Sequence, residues 1–530
     1  MRRLYNFFGT GESLVKYHHF PYSAAMTGAF SFRALWRLLG GGFVLHRAAI
    51  CVTLITLCIA DIATSSQQQT RHEPHTAGSR QGCLSCHPIS PDTHHQFGCT
   101  QCHGGNPDAV DGALAHVDLI ARPAHPDHAE AVCGGCHTRE TAMVKENSHY
   151  TLTGHITLVR RAFDPAADEI ELSELRAHNT PHDSMELVDD ALRRRCLRCH
   201  VYNNGEAYPL ARHGTGCAAC HLGYDGERFS HRFSAPVDMS RCLSCHYANH
   251  VGFDYVGRFE RDFHDEYRVP YDIDVPEKSA YGVGFQRLSD DLHHQAGLVC
   301  IDCHTKREVM GSGSGPECSS CHDGDGLARS LPARVEKLKD GYRLRTSTEN
   351  SDVNLVLMAH PAHERYNDTV ACQVCHGQWS FNDNQTHLMR IDHDFFDAFE
   401  RIGAGGSREV ETQLGTLADV DGDFISPTMR DPFTGQVYRG MWLKGYYERR
   451  WEELPLAPDA GGKLQVVRPL LDLYISWVDG EEQVRFDNLV PDLETSRYLP
   501  YTPHTTGHAG MFWQERLRWF DQGEQDSLAQ

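Results

Sequence analysis

The cysteines and histidines of this chain recur in one fixed pattern. Nine times the sequence reads Cys-x-x-Cys-His, and these motifs use 18 of its 20 cysteines. The spacing is that of covalent c-type haem attachment. Two thiols three residues apart can each form a thioether to one edge of a porphyrin. The histidine that follows then lies under the iron and serves as an axial ligand.

We number the motifs one to nine along the chain. Their cysteine pairs are Cys83/Cys86, Cys99/Cys102, Cys133/Cys136, Cys196/Cys199, Cys217/Cys220, Cys242/Cys245, Cys300/Cys303, Cys318/Cys321 and Cys372/Cys375. Their histidines, the predicted proximal iron ligands, are His87, His103, His137, His200, His221, His246, His304, His322 and His376. The pattern therefore predicts nine covalently bound haems c.

Zinc sites and disulfides also use cysteine pairs, and they are the alternatives to haem. A zinc site usually joins two such pairs at one metal. Disulfides suit an exported protein. Neither alternative requires a histidine after the second cysteine in nine motifs of nine, so haem is the prediction.

A six-coordinate haem needs a second axial ligand. Residues 64–530 contain 32 histidines, nine of them proximal, so 23 remain, against only nine methionines in the same span. Two histidine ligands are therefore expected at most irons, which favours low reduction potentials. Position relative to the motifs selects the distal candidates His75, His95, His116, His128, His178, His213, His250, His294 and His363.

The N-terminal segment carries an export signal. Residues 48–63 are apolar, and Arg33, Arg37 and Arg47 precede them. The apolar stretch is shorter than the ~20 residues of a membrane-spanning helix. We therefore predict that residues 1–63 are a lead and a secretory signal peptide, cleaved close to Cys58. An uncleaved membrane anchor and a start at Met26 are the alternatives.

The charge balance is strongly acidic beyond this segment. Residues 64–530 hold 44 Lys and Arg against 69 Asp and Glu, a net charge of −25. This excludes a nucleic-acid partner, which needs a basic face. It suits basic partner proteins, metal cations or mineral surfaces through electrostatic steering, or simply the solubility of an exported protein.

The spacing of the motifs divides the haem region into three triplets. Successive first cysteines are 16, 34, 63, 21, 25, 58, 18 and 54 residues apart. The two longest gaps separate triplets at about residues 72–140, 175–250 and 290–380. The first and third triplets share a His-His-Gln element, at 94–96 and 293–295, and an Ala-His-Pro-x-His element, at 124–128 and 359–363. Partial duplication is the interpretation, and convergent placement of ligands is the alternative.

Little polypeptide is available for each haem. The 294 residues from Cys83 to His376 serve nine motifs, or about 33 residues each, which is too few for a conventional core around every one. We therefore expect residues 64–390 to form a mostly irregular and α-helical multihaem cytochrome domain with little regular secondary structure and with the haems as its core.

Residues 391–530 contain no further motif and are expected to form a small, haem-free α+β domain or extension. Alternating residues in 471–478 and 483–486, around Asp479-Gly480, predict a β-hairpin. Residues 394–402 and 511–520 predict short amphipathic helices. Asp419, Asp421 and Asp423 resemble the start of a calcium loop. Arg430 stands where an EF-hand has glutamate, so an Asp/Gly turn is the alternative to a calcium site.

The motif array resembles the multihaem cytochromes c of anaerobic respiration, including those of dissimilatory metal-reducing bacteria, over about residues 72–393. The resemblance implies closely packed haems that pass electrons along the chain. It also implies haem attachment outside the cytoplasmic membrane, in the periplasm or at the cell surface of a bacterium. The implied partners are other cytochromes, a quinol-linked membrane donor, and an extracellular or small-molecule electron acceptor.

Some members of this group are enzymes, so a second function stays open. It is reduction or oxidation of a small nitrogen, sulfur or selenium oxyanion at one haem with an open coordination position. The chain lacks the CxxCK motif of several such enzymes and has nine motifs where hydroxylamine-oxidoreductase-like proteins have eight. Both departures favour an electron carrier. Residues available to line such a pocket are Tyr202, Tyr208, Tyr366, Tyr501, His504 and His508.

Overall fold

The fold is taken from a computed structural model of the chain. The structure describes residues 82–224, 228–246, 252–260, 285–347, 352–380, 382–393, 407–419, 426–450, 454–492, 498–510 and 512–518. These residues belong to one compact unit that begins at Arg80. In these ranges, no helix has both the length and the apolar character that a membrane crossing needs.

The helices are short. They are α1 (Thr100–His103), α2 (Gly112–Ala115), α3 (Pro126–Cys133), α4 (Thr138–Val144), α5 (Thr153–Phe163), α6 (Ser184–Arg194), α7 (Cys217–His221), α8 (Met239–His246), α9 (Gly252–Tyr255), α10 (Leu292–Gln295), α11 (Cys300–Cys303), α12 (Lys306–Val309), α13 (Ser319–His322), α14 (Gly324–Arg329), α15 (Pro361–Tyr366), α16 (Cys372–His376) and α17 (Arg408–Asp419). Single 3-10 turns lie at Cys83–Ser85 and Cys196–Cys199. Most of the motifs thus lie in single helical turns.

The strands are β1 (Leu222–Tyr224), β2 (Phe229–Phe233), β3 (Arg258–Glu260), β4 (Phe285–Arg287), β5 (Val335–Leu338), β6 (Gly341–Arg345), β7 (Asp352–Asn354), β8 (Asn382–Ile391), β9 (Thr428–Arg430), β10 (Val437–Arg439), β11 (Met441–Arg450), β12 (Leu456–Pro458), β13 (Leu464–Pro469), β14 (Leu473–Val478), β15 (Val484–Leu489) and β16 (Tyr498–Pro500). The largest sheet has the order β11-β8-β14-β15. In it β8 pairs antiparallel with β11 and parallel with β14.

The largest hydrophobic core lies between this four-stranded sheet and helices α5 and α6. Its buried members include Ile156, Leu192, Trp442 and Trp477. Leu197, inside the fourth Cys-x-x-Cys-His motif, also belongs to it. Removing these apolar side chains from water stabilises the contact by about 25 cal/mol per Å² of buried area, so the sheet is packed firmly against the chain around the fourth motif.

Buried ion pairs join α6 to the same sheet. Asp190 is fully buried and accepts hydrogen bonds from Arg194 Nε (2.8 Å), Arg390 Nη1 (3.0 Å) and Trp442 Nε1 (2.9 Å). The neighbouring Arg193 makes a two-pronged contact with Asp431, at 3.1 and 2.9 Å. Planar bidentate pairs of this kind fix the relative orientation of the two side chains as well as contributing energy.

The described chain is a mixture of helices and strands, and its strands extend into the motif region. The hairpin expected over 471–486 is present as β14 and β15, with Trp477 opposite Phe486. Residues 513–518 are helical, inside the helix predicted at 511–520. Strand β8, which ends at Ile391, pairs with β11 and β14 of the segment that follows it.

Several sequence predictions concern residues outside the described ranges. They are the signal segment 48–63 with Cys51 and Cys58, the distal candidates His75 and His250, the helix at 394–402, and the calcium-loop residues Asp421 and Asp423.

Candidate cofactor-binding cavity

All nine Cys-x-x-Cys-His motifs open into one connected space, which we call the motif cavity. Its volume is about 4100 Å³, and both cysteines and the histidine of every motif line it. Divided among nine motifs, 4100 Å³ is about 460 Å³ each, within the roughly 300–1,000 Å³ of a site for one small molecule. A ligand that covered this mostly apolar lining would stabilise the protein by about 25 cal/mol per Å² of apolar surface removed from water.

Each motif presents its three side chains to this cavity from a single helical turn. In motifs one, two and three, the N–H of His87, His103 and His137 donates to the carbonyl of the first cysteine, at 2.8–2.9 Å. Residues at positions i, i+3 and i+4 of a helical turn share one face. Both thiols and the imidazole therefore point to the same side, as attachment to one porphyrin edge and its iron requires.

Seven motif histidines face a second histidine across the cavity. The pairs, with the distance between ring centroids, are His87 and His116 (6.0 Å), His103 and His231 (6.2 Å), His137 and His95 (6.3 Å), His246 and His149 (6.2 Å), His304 and His504 (6.2 Å), His322 and His293 (5.9 Å), and His376 and His363 (6.0 Å).

This separation is the one that two imidazoles on opposite sides of a single metal need. A histidine nitrogen binds a metal at about 2 Å, and the ring centre lies roughly 1 Å behind that nitrogen, which places two opposite ring centres about 6 Å apart. The residues therefore fit haem iron with two histidine ligands at seven motifs.

Hydrogen bonds to Nδ1 hold many of these imidazoles in position. The Nδ1 atoms of His103 and His376 lie 2.9 Å from the carbonyl oxygens of Ile120 and Gly507. On the facing side, Nδ1 of His293 lies 2.8 Å from an Asp291 carboxylate oxygen. A partner at Nδ1 sets the tautomer and leaves Nε2 for the metal.

Burial keeps two ligand candidates neutral. Burial, together with nearby His149, lowers the pKa of His246 to about 4. Burial likewise lowers the pKa of His504 to about 4. Both imidazoles are therefore uncharged at pH 7, which is the form that binds a metal.

The two Ala-His-Pro-x-His elements assign different roles to their histidines. His125 and His360 are the N-caps of α3 and α15, where each Nδ1 accepts a hydrogen bond from a backbone N–H two residues later. The proline occupies the first helical turn, where its missing N–H costs nothing. His363 projects from the first turn of α15 towards His376, whereas His128, its counterpart in α3, is exposed.

The nine predicted distal ligands differ in whether they lie opposite a motif histidine. The structure places His95, His116 and His363 opposite motif histidines. It places His293 opposite His322 where the sequence favoured its neighbour His294. The reason is that Asp291 caps α10 and hydrogen-bonds the His293 ring, while His294 turns to Asp290 at 2.8 Å.

Three further candidates face no motif histidine at ligand distance in the part of the chain that the structure describes. His128 is exposed, and His178 lies beside Glu186 at 3.6 Å. His213 is fully buried, with Nδ1 2.7 Å from the carbonyl oxygen of Gly214. Its Nε2 is buried with no hydrogen-bond partner among the described residues.

Sequence reasoning missed four histidines that do face motif histidines: His149, His231, His293 and His504. His231 lies in β2 with a φ of 54°, a left-handed conformation that costs energy in a non-glycine residue. His504 was considered only as a pocket residue, because it follows the last motif by more than a hundred positions. For His149, the sequence contains one indication of a ligand role, which is Asn147 two residues earlier. The side-chain oxygen of Asn147 lies 2.8 Å from Nδ1 of His149 and holds the ring in place.

Motifs four and five differ from the other seven. For His200 and His221, the described residues provide no second histidine ring at about 6 Å. His200 packs parallel to Tyr202 at 5.3 Å and lies 6.3 Å from Phe433. Burial lowers the pKa of His200 to about 3, helped by nearby His149, His213 and His155. His221 has its Nδ1 2.9 Å from the carbonyl oxygen of Ser234.

Among the described residues, no three His, Cys, Asp or Glu side chains converge on a point that could hold a bare metal ion. Comparisons with known proteins give no relative: no family model, no curated protein and no solved structure matches the chain.

Proposed function

We propose that this protein is an exported nonahaem c-type cytochrome that transfers electrons along a chain of haems with mostly two histidine ligands. The observation that carries the proposal is the set of seven facing histidine pairs at 5.9–6.3 Å. In each pair one histidine belongs to a Cys-x-x-Cys-His motif, so the thiols for covalent attachment lie beside the ligands for the iron.

The chain's own residues then have separate tasks. The eighteen motif cysteines would hold the nine macrocycles, and the motif histidines with their facing partners would hold the irons. A haem bound in this way supplies a one-electron Fe(III)/Fe(II) couple without an open coordination position. Carbonyl and carboxylate acceptors at Nδ1 keep the imidazoles in place, so little reorganisation accompanies a change of charge.

The continuous motif cavity supports transfer from site to site. All nine motifs share its volume of about 4100 Å³, and the described residues do not divide it into separate cavities. Neighbouring macrocycles would therefore approach each other directly. Apolar side chains around them would keep water away and lower the dielectric constant, which influences their potentials.

Mass spectrometry of the protein, expressed in a bacterium with periplasmic haem-attachment machinery, tests the cofactor. We expect a covalent mass increase of nine haems and no bound zinc. A chain that carries zinc, or disulfides without haem, would overturn the proposal.

The coordination of the irons tests the kind of function. Low-spin ferric signals in the electron paramagnetic resonance spectrum are expected from all seven paired motifs. A high-spin signal that shifts on addition of nitrite, hydroxylamine or sulfite would instead establish the oxyanion-converting enzyme as the function. Fractionation of the expressing cells tests export, which predicts the protein outside the cytoplasm.

A further inference from the structure

The contacts between motif cysteines divide the nine motifs into four pairs and one single motif. The first cysteines of two motifs lie next to each other in four cases: Cys83 with Cys99, Cys133 with Cys217, Cys242 with Cys300, and Cys318 with Cys372. Each sulfur would be bonded to the edge of its own macrocycle. The paired motifs are therefore one with two, three with five, six with seven, and eight with nine.

Other contacts join these pairs end to end. Helix α1 of motif two contacts α3, which ends at motif three, and α7 of motif five contacts α8 of motif six. Cys303 of motif seven lies near Cys321 of motif eight. The pairs thus follow the order one–two, three–five, six–seven, eight–nine. Motif four belongs to none of them.

Three of the seven facing histidines link the same neighbours. His116, beyond motif two, faces the histidine of motif one, and His95, ahead of motif two, faces that of motif three. His293, ahead of motif seven, faces the histidine of motif eight. These links come from ring geometry, independently of the sulfur contacts.

The fourth motif stands outside the four pairs. The ionisable groups near the thiol of its first cysteine, Cys196, are Arg195 and Lys444, with no other cysteine among them. Its second cysteine touches motif six, because the thiol of Cys245 donates to the carbonyl of Cys199 at 3.1 Å. His200 also donates its N–H to Leu197, at 3.1 Å, where other motif histidines use the carbonyl of the first cysteine.

We propose that the electron path is branched: eight haems follow the order one, two, three, five, six, seven, eight, nine, and the fourth is a spur attached at the sixth. This inference rests on the proposed function. Electrons would then have a third terminus besides the first and ninth haems, at the fourth motif. Each transfer moves one electron from a ferrous to a ferric iron, and no bond forms or breaks.

The surroundings of the fourth motif suit a terminus. Leu197 anchors the motif in the largest hydrophobic core, against the four-stranded sheet. A second cavity of about 140 Å³ is lined by Cys196, His155 and Leu158, and the Leu158 side chain is 52% exposed. The spur would thus approach the protein surface beside α5.

The positions of the irons test the branch in the unmodified holoprotein. Anomalous diffraction at the iron absorption edge should give nine positions, with the fourth iron nearest to the sixth and off the line of the other eight. A fourth iron lying between the third and the fifth would overturn the branch and leave the electron-transfer proposal intact. Absence of the nine irons would overturn the proposed function itself.

Two matched double variants test the path of the electrons. A ruthenium photosensitiser on Val110→Cys, a fully exposed site between motifs two and three, would inject electrons near the first end. With Cys196→Ala/Cys199→Ala, all the remaining haems should be reduced as fast as in the parent. With Cys217→Ala/Cys220→Ala, fast reduction should stop after the third haem. The reverse result would overturn the branched order, and haem counting by mass verifies each variant.

Discussion

The imidazole rings of His304 and His504 face each other at 6.2 Å, with their planes inclined by only 17°. The two residues are 200 positions apart in the chain. Asp291 fixes this arrangement, because its carboxylate accepts a hydrogen bond from the Thr506 hydroxyl (2.8 Å) while it holds the ring of His293. The C-terminal segment thereby provides a ligand candidate for the seventh motif.

Replacing His504 with alanine should leave the seventh iron with one protein ligand. We expect a high-spin ferric signal equivalent to one haem in the electron paramagnetic resonance spectrum, with all nine haems still attached by mass. His508→Ala is the matched control, since His508 is exposed and close by in the chain. A low-spin spectrum for His504→Ala, or the same change in both variants, would contradict the pairing.

The two histidines of the element at 359–363 should respond differently to substitution. His363→Ala removes the ring 6.0 Å from His376, so one haem should become high-spin. His360→Ala removes only the cap whose Nδ1 accepts from the N–H of Ala362 at 3.2 Å. Losing a helix cap costs about 0.5–2 kcal/mol, so this variant should lower the melting temperature modestly and keep a low-spin spectrum.

The carboxylate of Asp92 should lower the potential of the third haem. Its two oxygens lie 2.8 and 2.9 Å from the His95 Nδ1, and a negative partner makes an imidazole a stronger donor to ferric iron. Asp92→Asn should therefore raise one of the nine reduction potentials in a spectroelectrochemical titration. Asp108→Asn, an exposed carboxylate in the following loop, should leave all nine unchanged.

The pKa of the Asp92 carboxylate determines the pH below which its effect on His95 is lost. Burial alone would raise the pKa of Asp92, but hydrogen bonds from the backbone N–H groups of Phe233 and His94, and from His95, lower it to about 2 from 3.8. A lowered pKa means that the stabilisation is complete above about pH 4 and is lost as the pH falls towards 2. The shift caused by Asp92→Asn should therefore persist unchanged from pH 7 to pH 4. A shift that is already about half lost near pH 4 would show that Asp92 titrates with its ordinary pKa of 3.8.

Asp190 should be essential for the contact between α6 and the four-stranded sheet. Asp190→Ala leaves Arg194 and Arg390 buried without their shared carboxylate, a loss of about 3–5 kcal/mol in the free energy of unfolding. Urea denaturation followed by far-ultraviolet circular dichroism measures it as an earlier midpoint. Glu336→Ala removes the exposed partner of Arg343 at 3.0 Å, and its midpoint should match the parent, since exposed pairs contribute little.

Local patterns were enough to predict the hairpin and to identify the residues of each motif. In a Cys-x-x-Cys-His motif, one helical turn determines which side chains share a face. The residues next to each other in the chain are therefore enough to identify the group of side chains that acts together. The same holds for β14 and β15, where alternation and the Asp479-Gly480 turn indicate the pairing. Facing ligands were predicted less well, because most are brought together by contacts between distant segments, as for His149 with His246 and His504 with His304.

The sequence by itself determined how many Cys-x-x-Cys-His motifs the chain has and which three side chains of each motif share a face, because these depend on positions within one helical turn. Only the tertiary structure decided which histidine faces which motif and which motifs are neighbours. It places motif five, not motif four, beside motif three, and it attaches motif four to motif six and the sheet. The physical reason is that order along the chain does not determine adjacency in space, which depends on how the short helices pack around the shared motif cavity.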